Sequence, residues 1–310
     1  MWSATGVGVP PLREVLCALA WAWTAVGPGL AVAAERPLAP ATAGWNADVA
    51  LSVAHPGAIA VDAQGGVWTV DPVRAEVTGW SGLGARLGPW GRLGSDLDGE
   101  FRSPSGLAAV GGFQLLVADR GNGRLVRYQT PLGGRGLVFA GVMANEGPAE
   151  FRPGAISADA AGRVAVLDHE QGQVRLLDAF GREEARVGGF GAGPARLRHP
   201  SAVALHQRRG VFVVDGAGVV VFDRFGNFRE RRTLVESGTS IGGLAIDRAG
   251  RLWWTEPRGG RVRGADPEWK DEPGIDGLLR PSALAVHPDG GTLWVVQDSL
   301  RTLTRFRRER

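Results

Sequence analysis

The sequence predicts an all-β protein, a six-bladed β-propeller of four-stranded blades in which an N-terminal strand closes the last blade. Three observations predict it. One pattern recurs six times, at spacings of 48, 49, 47, 41 and 40 residues; each copy contains an apolar run bounded by Gly-rich turns; and no segment after residue 45 has a convincing helical period. A period in the forties with several short strands per unit marks a propeller blade, because each small sheet buries its faces only against copies of itself.

The elements follow in chain order. Residues 1–34 read as a secretory signal: Arg13, an apolar run from Val15 to Val26, the breaker Gly27-Pro28-Gly29, then Ala31-Val32-Ala33-Ala34. Charge, short apolar run and small residues at a cleavage site are the features of export, and the run before the breaker is too short to span a bilayer. Residues 35–44 form a short leader, and 45–310 a single propeller domain. The expected location is therefore periplasmic or extracellular, with no membrane span once the signal is removed. Cys17, the one cysteine, lies inside the signal, and Leu16 precedes it where a lipoprotein signal carries a small residue. The mature chain can form no disulfide and no thiolate metal site.

The repeats begin at Pro56, Pro104, Pro153, Pro200, Ile241 and Pro281. An acidic residue follows fifteen positions later: Asp71, Asp119, Asp168, Asp215 and Glu256, with Gln297 beside Asp298 in the sixth, where one residue is inserted. Consecutive apolar residues just before it, such as Leu115-Leu116-Val117, predict a second strand buried on both faces. The alternation in RLVRY (124–128) and TLTRF (302–306) predicts a third strand nearer solvent. The chain ends after the third strand of repeat six, while ADVALSV (47–53) precedes the first repeat. That N-terminal strand is expected to complete the last blade and shorten its exposed edge.

The wording of the repeats resembles a known family. LLVADRGNGRL (115–125), the openings PSGLA and PGAIS, and the linkers GRLGSDLDGEF (91–101) and NEGPAEF (145–151) are similar to NHL repeats of exported bacterial propellers. The resemblance covers about residues 45–310 and implies a six-bladed ring that recognises a partner. Propeller lyases acting on peptidyl-hydroxyglycine carry histidine just after the repeat proline, where this chain has Gly57, Ser105, Gly154, Ser201, Gly242 and Ser282. Propeller lactonases hold a calcium-like ion with Glu, Asn and Asp. None of the four asparagines follows a repeat proline.

Formal net charge is +3 and Lys270 is the only lysine, a small excess with no dense basic block before Arg307-Arg308, so nucleic acid is not an expected partner. The histidines His55, His169, His199, His206 and His287 include no metal-binding spacing, although His55 and His199 each precede a repeat proline. The recurrent acids are expected to accept turn N–H groups as structural side chains. Arginine recurs before four of the prolines: Arg102, Arg152, Arg198 and Arg280. These four are the candidate binding residues, expected to gather at one mouth of the channel and attract an anion, with Phe101, Phe151, Leu197 and Leu279 behind them in the inter-blade core. The expected function is non-catalytic: a monomeric binding or scaffold propeller, without cofactor or metal, that recognises a protein, glycan or small anionic ligand outside the cytoplasm. The alternative is a metal-dependent hydrolase or lyase of the lactonase kind.

Overall fold

The computed structural model describes residues 44–130, 136–146 and 149–309, so the expected signal, Cys17 and all but the last residue of the leader lie outside it. Each repeat becomes one antiparallel sheet of four strands. Blade one is Ile59–Val61, Val67–Asp71, Glu76–Trp80 and Arg86–Trp90. Blade two is Pro104–Val110, Gln114–Asp119, Arg124–Gln129 and Val138–Asn145, and blade three is Pro153–Ala158, Val164–Asp168, Gln173–Leu177 and Glu183–Gly188. Blades four and five continue the pattern with Pro200–His206 and Leu244–Ile246 as inner strands. In blade six, Pro281–Val286, Thr292–Gln297 and Thr302–Arg308 are completed by Trp45–Ser52, which pairs antiparallel with Thr302–Arg308.

Inner strands of successive blades touch around the whole circuit, including that of blade six against that of blade one. The six-bladed fold and its N-terminal closure are as expected. Trp45 explains why the closing strand holds: it is fully buried, donates its indole N–H to the Pro273 carbonyl at 2.8 Å, and meets Trp253 edge-on at 5.4 Å between ring centres.

The core is a set of seams between neighbouring blades. Because strand side chains alternate, Thr69 and Val67 face blade six while Trp68 and Val70 face blade two. The residue entering each inner strand plugs the top of a seam: Phe101, Phe151 and Leu197 do so as expected. In blade six the plug is Leu278, and Leu279 is half exposed; a tandem leucine leaves the register open in the sequence, and the backbone resolves it.

Turns on the far side from the prolines share one device. Asp62, Asp159, Asp178, Asp223 and Asp266 each accept N–H groups from two and four residues ahead. The intervening residue takes a left-handed conformation, which glycine adopts without a Cβ penalty: Gly65, Gly162, Gly181 and Gly226. In the turn after Asp266 this place is held by Trp269, with φ of 65°.

Candidate active site

The start of each inner strand pairs with the end of the second strand: Pro104 with Asp119, Pro153 with Asp168, Pro200 with Asp215 and Pro281 with Gln297. The proline linkers and the loops after the recurrent acids therefore share one face of the ring, around one mouth of the channel.

The recurrent acids themselves are structural. Asp119 is fully buried and accepts the Arg102 N–H at 2.7 Å, the Asn122 amide at 2.7 Å and Arg124 Nε at 3.0 Å. Burial raises its pKa, and those donors oppose the rise without cancelling it. Asp215 does the same for the N–H groups of Arg198 and His199, with Arg231 as its cation. Burial again disfavours its charge, but Arg231 and the two backbone donors outweigh burial, so its pKa is lowered. In blade six the neutral Gln297 takes over: its Oε1 accepts the Leu279 N–H and its amide donates to Thr304. Asp119 and Asp215 thus clamp the incoming linker, Asp71 and Asp168 accept turn N–H groups as expected, and Glu256 instead binds the Trp254 and Arg261 side chains; in blade six an amide suffices.

The residue after the clamp lies over the residue after the proline. A side chain added at Gly57 would meet Pro72, one at Gly242 would meet Pro257, and Ser282 Oγ donates to Asp298 at 2.6 Å. In blade three this position is His169, whose ring occupies the space beside Gly154, and the His169 N–H donates to the Arg152 carbonyl at 3.2 Å. Burial lowers the His169 pKa below the ordinary 6.5, the nearby charge of Arg120 lowers it further, and Asp168 opposes both. Both effects favour the neutral imidazole, whose ring makes no hydrogen bond among the described residues. The mouth thus carries a neutral base and a guanidinium from adjacent blades, with Asp298 and Ser282 on blade six across the ring.

The four linker arginines are all exposed on this face, at two kinds of position. Arg102 and Arg198 stand two residues before their prolines, with backbone N–H groups held by the clamp acids. Arg152 and Arg280 stand one residue before, with carbonyls accepting from the residue after the clamp. Arg152 pairs with Glu170 at 3.3 Å; Arg102, Arg198 and Arg280 have no ion pair among the described residues. Glu100 turns instead to Arg92.

The other histidines separate. His55 faces Asp71 at 3.4 Å and His199 is exposed on blade four, across the ring from blade one. Among the described residues no three His, Cys, Asp or Glu side chains converge as metal ligands. Calcium takes six to eight oxygens, so this donor set does not fit an ion held by side chains. His169 escaped sequence reasoning because its environment is made by Gly154, fifteen residues earlier, and by Arg120 of the neighbouring repeat. The signal available was its place directly after a recurrent acid.

No protein-family model and no curated protein matches the chain. Solved structures do. A virginiamycin B lyase from Staphylococcus aureus with quinupristin is 13% identical, with TM-score 0.58 over 84% of this chain and 85% of that one. A luciferin-regenerating enzyme gives 13% identity and TM-score 0.60 over 83% and 91%. The calcium-binding protein regucalcin from Agrobacterium tumefaciens gives 14% identity and TM-score 0.58 over 83% and 90%. Such likenesses concern the fold, a six-bladed propeller. They also correct the expectation of a non-catalytic scaffold, because the propellers similar to this chain are named as enzymes and as a calcium-binding protein.

Proposed function

We propose that the chain is an enzyme of the hydrolase or lyase kind, working at the channel mouth with His169 as its base. The observation that carries this reading is the partly buried His169 ring beside Gly154 on an arginine-bearing face, where burial first and Arg120 second lower its pKa. A base with a pKa below the working pH is fully available for proton abstraction, and a positioned base contributes about 10²–10⁴-fold to rate. Arg120, whose charge is felt at the ring, would stabilise the oxyanion or enolate that develops as the proton leaves. Exposed Arg102, Arg198 and Arg280 supply unpaired guanidinium groups for a carboxylate on the substrate, while Arg152 is partly neutralised by Glu170.

The reaction class follows from those parts: abstraction of a proton from carbon or water beside an ester or lactone carbonyl of an anionic substrate. The substrate would be met outside the cytoplasm, since residues 1–34 read as an export signal and the repeats resemble NHL repeats. The experiment is a screen of lactones, cyclic depsipeptides and carboxylate-bearing esters with the purified protein and its His169→Asn variant. Turnover that falls by about 100-fold or more in the variant is expected. Turnover equal in both proteins contradicts the reading.

A further inference from the structure

The seam between blades six and one differs from the others. In the second strand, the position facing the preceding blade is Val117, Val166, Val213, Trp254 and Val295 in blades two to six, and Thr69 in blade one. Its cross-strand partner is Thr78. The plug is Val53, where three other seams have Phe101, Phe151 and Leu197. Between blades two and three, Arg175 occupies the position of Thr78 and fills the space, over Phe151 at 4.4 Å and paired with Asp168 and Glu146. Thr69 is the size of the valines it replaces, so the room comes from the smaller plug Val53 and from Thr78 in the place of Arg175: the seam between blades six and one keeps a half-open cavity of about 50 Å3 beside the segment Ser52–Pro56. One ordered water needs roughly 10–15 Å3 on this measure, so the cavity holds about four.

Its lining is largely polar. Thr78 is 9% exposed, makes no side-chain hydrogen bond among the described residues and keeps its hydroxyl within reach of solvent. Arg74 and Arg86, both exposed, and the partly buried Glu76 also line the cavity, and none of their side chains makes an ion pair among the described residues. Asp71 is already committed, accepting the Val73 and Arg74 N–H groups and facing His55. The opening thus presents a carboxylate and two guanidinium groups, none in an ion pair among the described residues, around the Thr78 hydroxyl, and a small guest carrying both charges would match them.

We propose that this seam is a binding site for a small zwitterion, an α-amino acid of the size of glycine or serine. Arg74 and Arg86 take its carboxylate, Glu76 takes its ammonium group, and the Thr78 hydroxyl is satisfied by either. The site is separate from His169 and does not depend on the reading of the channel mouth.

The test is calorimetric titration of the purified protein with glycine and serine, with glycolate and ethanolamine as probes lacking one charge each. The zwitterions are expected to bind, and each singly charged probe about tenfold or more weaker. Glu76→Gln and Thr78→Val, both conservative at folded positions, are expected to weaken glycine by about tenfold while circular dichroism stays unchanged. His169→Asn is expected to bind glycine as the parent does. Absence of glycine and serine binding, glycolate binding as tightly as glycine, or Glu76→Gln and Thr78→Val both binding as the parent does would overturn the proposal.

Discussion

At the scale of single residues, the chemistry rests on neighbours that the sequence does not place side by side. His169 owes its lowered pKa to burial first and to Arg120 second. Arg120→Ala removes a like charge from the imidazolium, so the His169 pKa is expected to rise toward 6.5 in an NMR titration of its ring protons. A fall, or no change, shows that Arg120 does not face the ring. The sign for stability follows: the folded state binds its proton less readily than the unfolded chain, so this contribution is complete above the ordinary imidazole pKa and is lost as pH falls through the lowered value. Arg175 supplies a structural counterpart. It is almost fully buried and pairs with Asp168, itself fully buried, at 2.9 Å. Arg175→Ala strands that carboxylate, and a loss of about 3–5 kcal/mol is expected in urea unfolding. A loss under 1 kcal/mol would mean that Asp168 finds water or protonates cheaply.

Elements were legible where a repeat fixed the register. The six prolines or their equivalent, the clamp acids and the apolar second strands appear in the structure at the positions that the spacing predicts. Legibility fails where the backbone has a choice: the tandem Leu278-Leu279 was misassigned by one residue, and the split of the four arginines into two positions depends on linker length. Trp269 shows a similar competition. Its left-handed φ of 65° costs about 1–2 kcal/mol relative to glycine. Against that stand a hydrogen bond to Glu230 at 3.0 Å, Arg232 over the ring at 4.5 Å and the edge contact with Phe212 at 6.3 Å. Packing wins, and Trp269→Gly is expected to lower stability by about 1–2 kcal/mol despite relieving the backbone. An increase in melting temperature would reverse that ordering.

For the whole molecule, closure is the decisive feature, since a ring lacking one strand exposes an edge and a seam together. Truncating a buried tryptophan alone costs about 3–5 kcal/mol, and total stability is about 5–15 kcal/mol. Deleting residues 45–54 removes Trp45, Leu51, Val53 and a full strand pairing, so cooperative thermal unfolding is expected to collapse or shift far downward. Unchanged unfolding contradicts closure by this strand. The ring could be read from the sequence because it is written six times; the candidate active site could not, because it is written once, across blades two and three. The most direct test of the central claim is the rate of the purified protein and of His169→Asn on the lactone and depsipeptide panel, measured across pH. The account predicts turnover with an acid limb below pH 6.5 that the variant loses along with about 100-fold or more of the rate. Equal rates, or an acid limb retained in the variant, would contradict it.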